Sequence, residues 1–170
     1  CIAQSRPTIE EANIHAVTDV LSSGQLADGT QVALFERGLS SYVGHKGGIA
    51  TNSGTNALYL ALLSLGHDSR NEVILPSYTC IALLNAVYAA QMVPVMVDID
   101  EDGLNISLSA IKRAISRRTK AIVAPHMFGD PIASIQEIVE LGVPVIEDCA
   151  LSVGAGVNGR KVGSIAQLAV

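Results

Sequence analysis

The strongest constraint on this chain is a rhythm. From residue 48 onward, short apolar runs rich in β-branched residues alternate with longer stretches of helical spacing. The runs fall at 48–52, 72–75, 93–97, 121–124 and 143–146, and the helical stretches at 55–65, 79–90, 107–116 and 132–141. Runs that are apolar on both faces belong in the buried centre of a parallel sheet, whose neighbouring strands need a crossover between them. The alternation therefore predicts an α/β fold: a doubly wound, mostly parallel sheet with right-handed crossovers. Ahead of it, residues 8–22 and 32–42 carry apolar side chains at helical spacing and are closed by Gly24 and Gly44. The expected organisation is an N-terminal helical segment, 1–45, followed by an α/β unit, 46–170. With 49% hydrophobic and 16% charged residues among 170, the chain has the apolar surface for one core, which excludes disorder.

Charge excludes further classes. The net charge is -5 and no run of basic residues occurs, so the patch that a nucleic-acid or anionic-membrane binder needs is not visible. No stretch reaches the ~20 apolar residues of a membrane span; the most apolar one, 80–97, is broken by Asn85, Gln91 and Pro94. Cys1, Cys80 and Cys149 are widely spaced and odd in number, which fits a reducing compartment and predicts a cytoplasmic location. So little charge on so apolar a chain predicts that further protein covers part of its surface.

In doubly wound sheets, ligands sit beyond the carboxyl ends of the strands. Three segments follow predicted strands: Asn52-Ser53-Gly54-Thr55, Pro76-Ser77-Tyr78-Thr79-Cys80 and Glu147-Asp148-Cys149-Ala150. The first enters a helix, whose free amides and dipole attract an anion, while Gly54 admits a close approach. Ser53 or Thr55 equally suits a plain helix cap. Asp148 suits a protonated ring nitrogen, a metal or a turn cap, but only His126 offers a companion metal ligand. Gly154-Ala155-Gly156-Val157-Asn158-Gly159 matches a dinucleotide fingerprint without the helix that should follow, and Asn158-Gly159 reads better as a hairpin turn. The calcium-like opening at Asp98 has Ser109 where a bidentate Glu belongs. A Cys149, His126, Asp148 nucleophile set fails because adjacent side chains diverge, so Cys149 is expected in the core. His15, His45 and His67 show no partners, and Tyr42, Tyr59 and Tyr88 are expected to be core residues with polar tips.

Taken in order, the motifs resemble those of the DegT/DnrJ/EryC/StrS family of sugar aminotransferases, which use pyridoxal phosphate (PLP). They are Arg6-Pro7-Thr8-Ile9, Leu21-Ser22-Ser23-Gly24, Asn52-Ser53-Gly54-Thr55-Asn56-Ala57-Leu58, Glu72-Val73-Ile74-Leu75-Pro76-Ser77-Tyr78-Thr79 and Pro94-Val95-Met96-Val97-Asp98-Ile99-Asp100. Arg118-Thr119-Lys120-Ala121-Ile122, His126-Met127-Phe128-Gly129-Asp130-Pro131, Glu147-Asp148-Cys149-Ala150 and Gly159-Arg160-Lys161-Val162-Gly163-Ser164 follow. The resemblance implies a truncated large domain of the aspartate-aminotransferase type (PLP fold type I). It implies that Ser53, Gly54 and Thr55 hold the cofactor phosphate and that Asp148 pairs with the pyridine nitrogen. By the same likeness Ala150 touches one ring face and position 80 covers the other. Two positions depart from the family pattern: Cys80 replaces a stacking aromatic, and Leu151 replaces a Gln that bonds the ring hydroxyl. The family's Schiff-base lysine follows the segment matching 165–170, so the chain is expected to be an N-terminal fragment without it; Lys46, Lys112, Lys120 and Lys161 match no such position. The implied activity is transfer of an amino group, typically from glutamate, to a keto-sugar nucleotide by a homodimer. A PLP-dependent sugar dehydratase and a non-catalytic regulatory or assembly paralogue are the alternatives.

Overall fold

The computed structural model describes residues 6–66 and 68–170; Cys1 and His67, singled out above, lie outside them. Two helices open the chain, α1 (Glu11–Ser23) and α2 (Thr30–Val43). Each ends on a glycine in the left-handed region, Gly24 at φ 72° and Gly44 at φ 102°, a conformation that a Cβ would strain. Then come α3 (Gly54–Ser64), β1 (Glu72–Pro76), α4 (Ile81–Ala89), β2 (Val93–Val97), α5 (Leu108–Ala114), β3 (Thr119–Pro125), α6 (Ile135–Val139) and β4 (Val145–Asp148). The short strands β5 (Gly156–Val157), β6 (Arg160–Lys161) and β7 (Leu168–Ala169) complete the series.

The sheet has five strands in the order β2-β1-β3-β4-β7, every pair parallel. Alternation along the strands divides the core in two. On one face Val73, Leu75, Ala121, Val123 and Ile146 pack under α3 and α4. On the other, Ile74, Ile122, Ala124 and Val145 pack under α5 and α6. Helices on both faces are the doubly wound arrangement that the sequence rhythm predicts. Because β1 leads outward to β2 while β3 neighbours β1 on its other side, the strand order reverses between β1 and β3. The carboxyl edge there is the place where such sheets bind ligands.

The opposite edge is occupied by structural pairs. Glu72, at the start of β1, accepts from Ser116 Oγ at 2.6 Å and pairs with Arg118 at 2.5 Å. The hydroxyl and then the guanidinium outweigh burial and hold its carboxyl below the usual range.

Three expectations need correction, and one element is new. The 48–52 run forms no strand, because no strand lies beside it among the described residues and an extended segment without a ladder is only a coil. A two-residue strand, β7, was not foreseen; it is too short for any periodicity to show. Tyr42 and Tyr88 are 48% and 59% exposed instead of lying in the core, since α2 and α4 turn those faces outward. The predicted 132–141 helix contracts to Ile135–Val139, flanked by turns. Asn158-Gly159 does form the hairpin turn, joining β5 to β6 with φ of 51° and 75° at the two residues.

Ile122 is fully buried beneath α5 and α6, in a strand flanked on both sides. Ile122→Ala should cost about 3–4 kcal/mol of unfolding free energy, measured by urea denaturation.

Candidate functional site

Strand parity sets the site. Ile146 faces α3, so Asp148, two residues on, lies on the same face at the carboxyl end of β4, while Glu147 points to the α5–α6 side. α3 descends from its start at Gly54 toward the amino edge where β1 begins, so its N-terminus also lies at the carboxyl edge. The loop from β1 to α4 reaches that edge and face too, carrying exposed Cys80 as the residue before α4. The three segments singled out in the sequence thus share one edge and one face.

Asp148 is 9% exposed. Its Oδ1 accepts the Ala150 N–H at 3.0 Å, and no hydrogen bond reaches Oδ2 among the described residues. Burial pushes its carboxyl above the usual range, against smaller opposing effects of the Ala150 amide and His126. At the other end of the site, Ser53 Oγ accepts the Asn56 N–H at 3.2 Å and caps α3. The amides of Gly54 and Thr55 make no hydrogen bond among the described residues. A Cβ on Gly54 would meet nothing within 4 Å, so nothing inside the chain demands glycine there. Between α2, α3 and β4 lies a cavity of about 370 Å³, lined by Ser53, Gly54, Cys149 and Val170 among others. Asp148 and Thr55 are not among its lining residues. Ala150 and Leu151 are exposed beside Asp148.

Glu147 was passed over in the sequence, where it was only the neighbour of Asp148. It is fully buried and its carboxylate takes four donors. Oε1 accepts from Ile165 N–H at 2.9 Å and Ala166 N–H at 2.7 Å. Oε2 accepts from Gly163 N–H at 2.8 Å and His126 Nε2 at 3.1 Å. Burial acts to raise its pKa, but these donors prevail and the carboxyl lies below the usual range. The usable signal was a Glu inside an apolar strand, since a buried carboxylate must find donors. His45, expected to lack a partner, donates from Nε2 to the Gly163 carbonyl.

His126, Glu147 and Cys149 bring ligand atoms within 4.8 Å of one another. They do not make a metal site. His126 Nδ1 accepts the Ile132 N–H at 3.0 Å, so Nε2 carries the proton given to Glu147, and neither nitrogen has a lone pair to spare. Burial and the two neighbouring carboxylates push the Cys149 thiol up to about 12, far from the thiolate a ligand or nucleophile needs.

The two adjacent carboxylates give opposite pH responses. Glu147, with its lowered pKa, contributes stability above the ordinary carboxylate pKa that is lost as pH falls through its folded value. Asp148, with its raised pKa, costs stability as pH rises through the window between ordinary and raised values. Glu147→Gln should therefore lose about 3 kcal/mol at neutral pH, because an amide nitrogen would face donors. Asp148→Asn should be no less stable than wild type at neutral pH, with the difference vanishing in acid. Thermal melts across pH check both.

Known proteins share the sequence pattern and the fold of this chain. The model of the DegT/DnrJ/EryC1/StrS aminotransferase family matches residues 7–170. An uncharacterized protein of Methanocaldococcus jannaschii, MJ1066, is 38% identical over 164 residues, covering 94% of this chain and 42% of its own length. The aminotransferase from Psychrobacter cryohalolentis superposes with a TM-score of 0.90 at 34% identity, over 96% of this chain and 42% of its own. Spr1654 of Streptococcus pneumoniae in its PLP form gives a TM-score of 0.92 at 30% identity, over 99% and 47%. Helicobacter pylori PseC, an aminotransferase involved in the biosynthesis of pseudoaminic acid, gives 0.89 at 31%, over 98% and 46%. The chain spans less than half the length of these relatives. With the family model matched nearly end to end on a doubly wound sheet, the chain belongs to the DegT/DnrJ/EryC1/StrS aminotransferase family.

Proposed function

We propose that this chain binds PLP at the carboxyl edge of its sheet, within a protein that transfers an amino group to a keto-sugar nucleotide, with glutamate as donor. The observation that carries the reading is Asp148: a carboxylate some nine-tenths buried, with one oxygen unbonded, on the face and edge where α3 presents unpaired amides. That donor and acceptor set fits a ligand with a cationic nitrogen at one end and an anion at the other. The PLP form of Spr1654 and its description as a sugar aminotransferase support the cofactor and the substrate class.

When bound, PLP supplies an electron sink for charge developing at the substrate carbon. The chain's own residues do the rest. Asp148 Oδ2 would hold the proton on the pyridine nitrogen, and a cation there would bring the Asp148 carboxyl back down. Ser53 Oγ spends an acceptor site on Asn56, leaving its O–H to donate to a phosphate oxygen beside the Gly54 and Thr55 amides. Ala150 and Cys80 would flank the ring. Cys80 covers it with less surface than an aromatic, and Leu151 offers no hydrogen bond to a ring hydroxyl. The exposed apolar side chains of α1, Ile14, Val17 and Leu21, and of α4, Ile81 and Tyr88, support a homodimer.

Titration with pyridoxamine 5′-phosphate, which needs no lysine, tests the reading. Saturable binding is expected, weakened about 10- to 100-fold in Asp148→Asn, the worth of one charge-assisted bond. Gly54→Ala should weaken binding without lowering the melting temperature, because its Cβ meets nothing in the chain itself. No saturable binding, or binding indifferent to Asp148, would overturn the cofactor reading and favour the non-catalytic paralogue.

A further inference from the structure

Asp148 and the α3 N-terminus belong to parts of the chain that no strand ladder joins. The body of α3 is seated on the sheet and against α4, whereas the 48–52 stretch leading into it has no strand partner among the described residues. That stretch lies along α2. Glu36 Oε1 accepts the Ala50 N–H at 2.8 Å. A Cβ on Gly48 would stand 3.3 Å from the Glu36 carbonyl oxygen, so the stretch lies directly against the helix.

The far end of α2 is fastened to the β4 side. His45 Nε2 donates to the Gly163 carbonyl. Lys161 Nζ donates to the Tyr42 carbonyl at 2.7 Å and lies 3.5 Å from the centroid of the Tyr42 ring. Gly163 in turn gives its N–H to Glu147, the residue before Asp148. It sits at φ 81°, and a Cβ there would stand 3.1 Å from Cys149 Sγ and 3.2 Å from Val43 Cγ1. One glycine therefore closes a connected path: Glu147, Gly163, His45, α2, Glu36, Ala50 and then the start of α3.

We infer that α2 is a strut setting the separation between Asp148 and the α3 N-terminus, so that Glu36 and His45 are positioning residues for a ligand gripped at both ends. The inference rests on the PLP reading proposed above. A rigid ligand held at two points gains from the second contact only when the spacing matches, and a misplacement near 1 Å forfeits much of that gain.

The test compares a two-ended with a one-ended ligand on the same chain. Pyridoxamine 5′-phosphate reads both ends, while inorganic phosphate, followed by ³¹P NMR, reads the α3 end alone. In Glu36→Ala and His45→Ala, the Kd for pyridoxamine 5′-phosphate should rise at least about tenfold while that for phosphate stays within about twofold. Glu36→Gln keeps an acceptor for the Ala50 N–H and should restore the wild-type Kd, which a loss of charge or of fold would not explain. Equal weakening of both ligands would overturn the strut, since α2 would then only hold up the phosphate end. Unchanged pyridoxamine 5′-phosphate binding in Glu36→Ala would overturn it while leaving the PLP reading intact. Failure of the wild-type chain to bind that ligand would overturn the PLP reading and the strut with it.

Discussion

Four donors converge on the carboxylate of Glu147, and the carboxyl edge of this sheet is built around that convergence. A charge with no access to water is tolerated only when its lone pairs are filled. Filling them fixes three things together. The His126 ring is locked in one tautomer, the turn from Gly163 to Ala166 is drawn against β4, and β7 is delivered alongside it. Asp148, the next residue, is left with no comparable set of partners. The contrast between a satisfied carboxylate and a half-satisfied one, side by side on opposite faces, separates scaffold from site.

Topology accounts for where that contrast falls. With α3 and α4 on one face and α5 and α6 on the other, the loops that leave the strands or enter these helices gather at the carboxyl edge. The helix starting at Gly54 contributes open amides, the loop ahead of α4 contributes Cys80, and β4 contributes a carboxylate. The opposite edge gathers the Glu72, Ser116 and Arg118 group, in which the Glu72 carboxylate is paired at both oxygens. Buried and only half partnered, Asp148 holds its charge at a cost to the chain that Glu147 does not incur.

Much of this was legible in the sequence, and for physical reasons. The strands around Ile74, Ile122 and Ile146 are buried on both faces, so their apolar runs announce themselves, and the glycines at Gly24 and Gly44 mark helix ends by conformational necessity. Asn158-Gly159 was readable because its turn demands positive φ at both residues. The position of Asp148 was readable from the end of its strand and that of Ser53 and Gly54 from the start of a helix, although the strand expected ahead of them does not form. What escaped depends on contacts distant in sequence. The β-branched run at 48–52 has a strand's composition but no neighbour to pair with. Tyr42 and His45 were assigned from local spacing, whereas their places follow from Lys161 and Gly163, more than a hundred residues away. Glu147 lay in plain view beside Asp148, yet three of its four donors are backbone amides, which no side-chain pattern reveals.

The strands of the sheet differ in how firmly each is embedded, and that makes the fold a graded solid. Among the described residues β1 and β3 are laddered on both sides at its centre, whereas β7 pairs with β4 alone, through Ile146–Leu168 and Glu147–Ala169 and the flanking bonds of Val170. Free energies of local opening in such a structure run from the global value at the centre toward small values at the margin. Here the margin is also where the chain comes down onto Glu147. The Glu147 donors at Gly163, Ile165 and Ala166 lie just ahead of β7 in the chain, so side chain and main chain of one residue hold the same short segment. A two-residue ladder is thereby backed by a buried charge that its own residues do not touch.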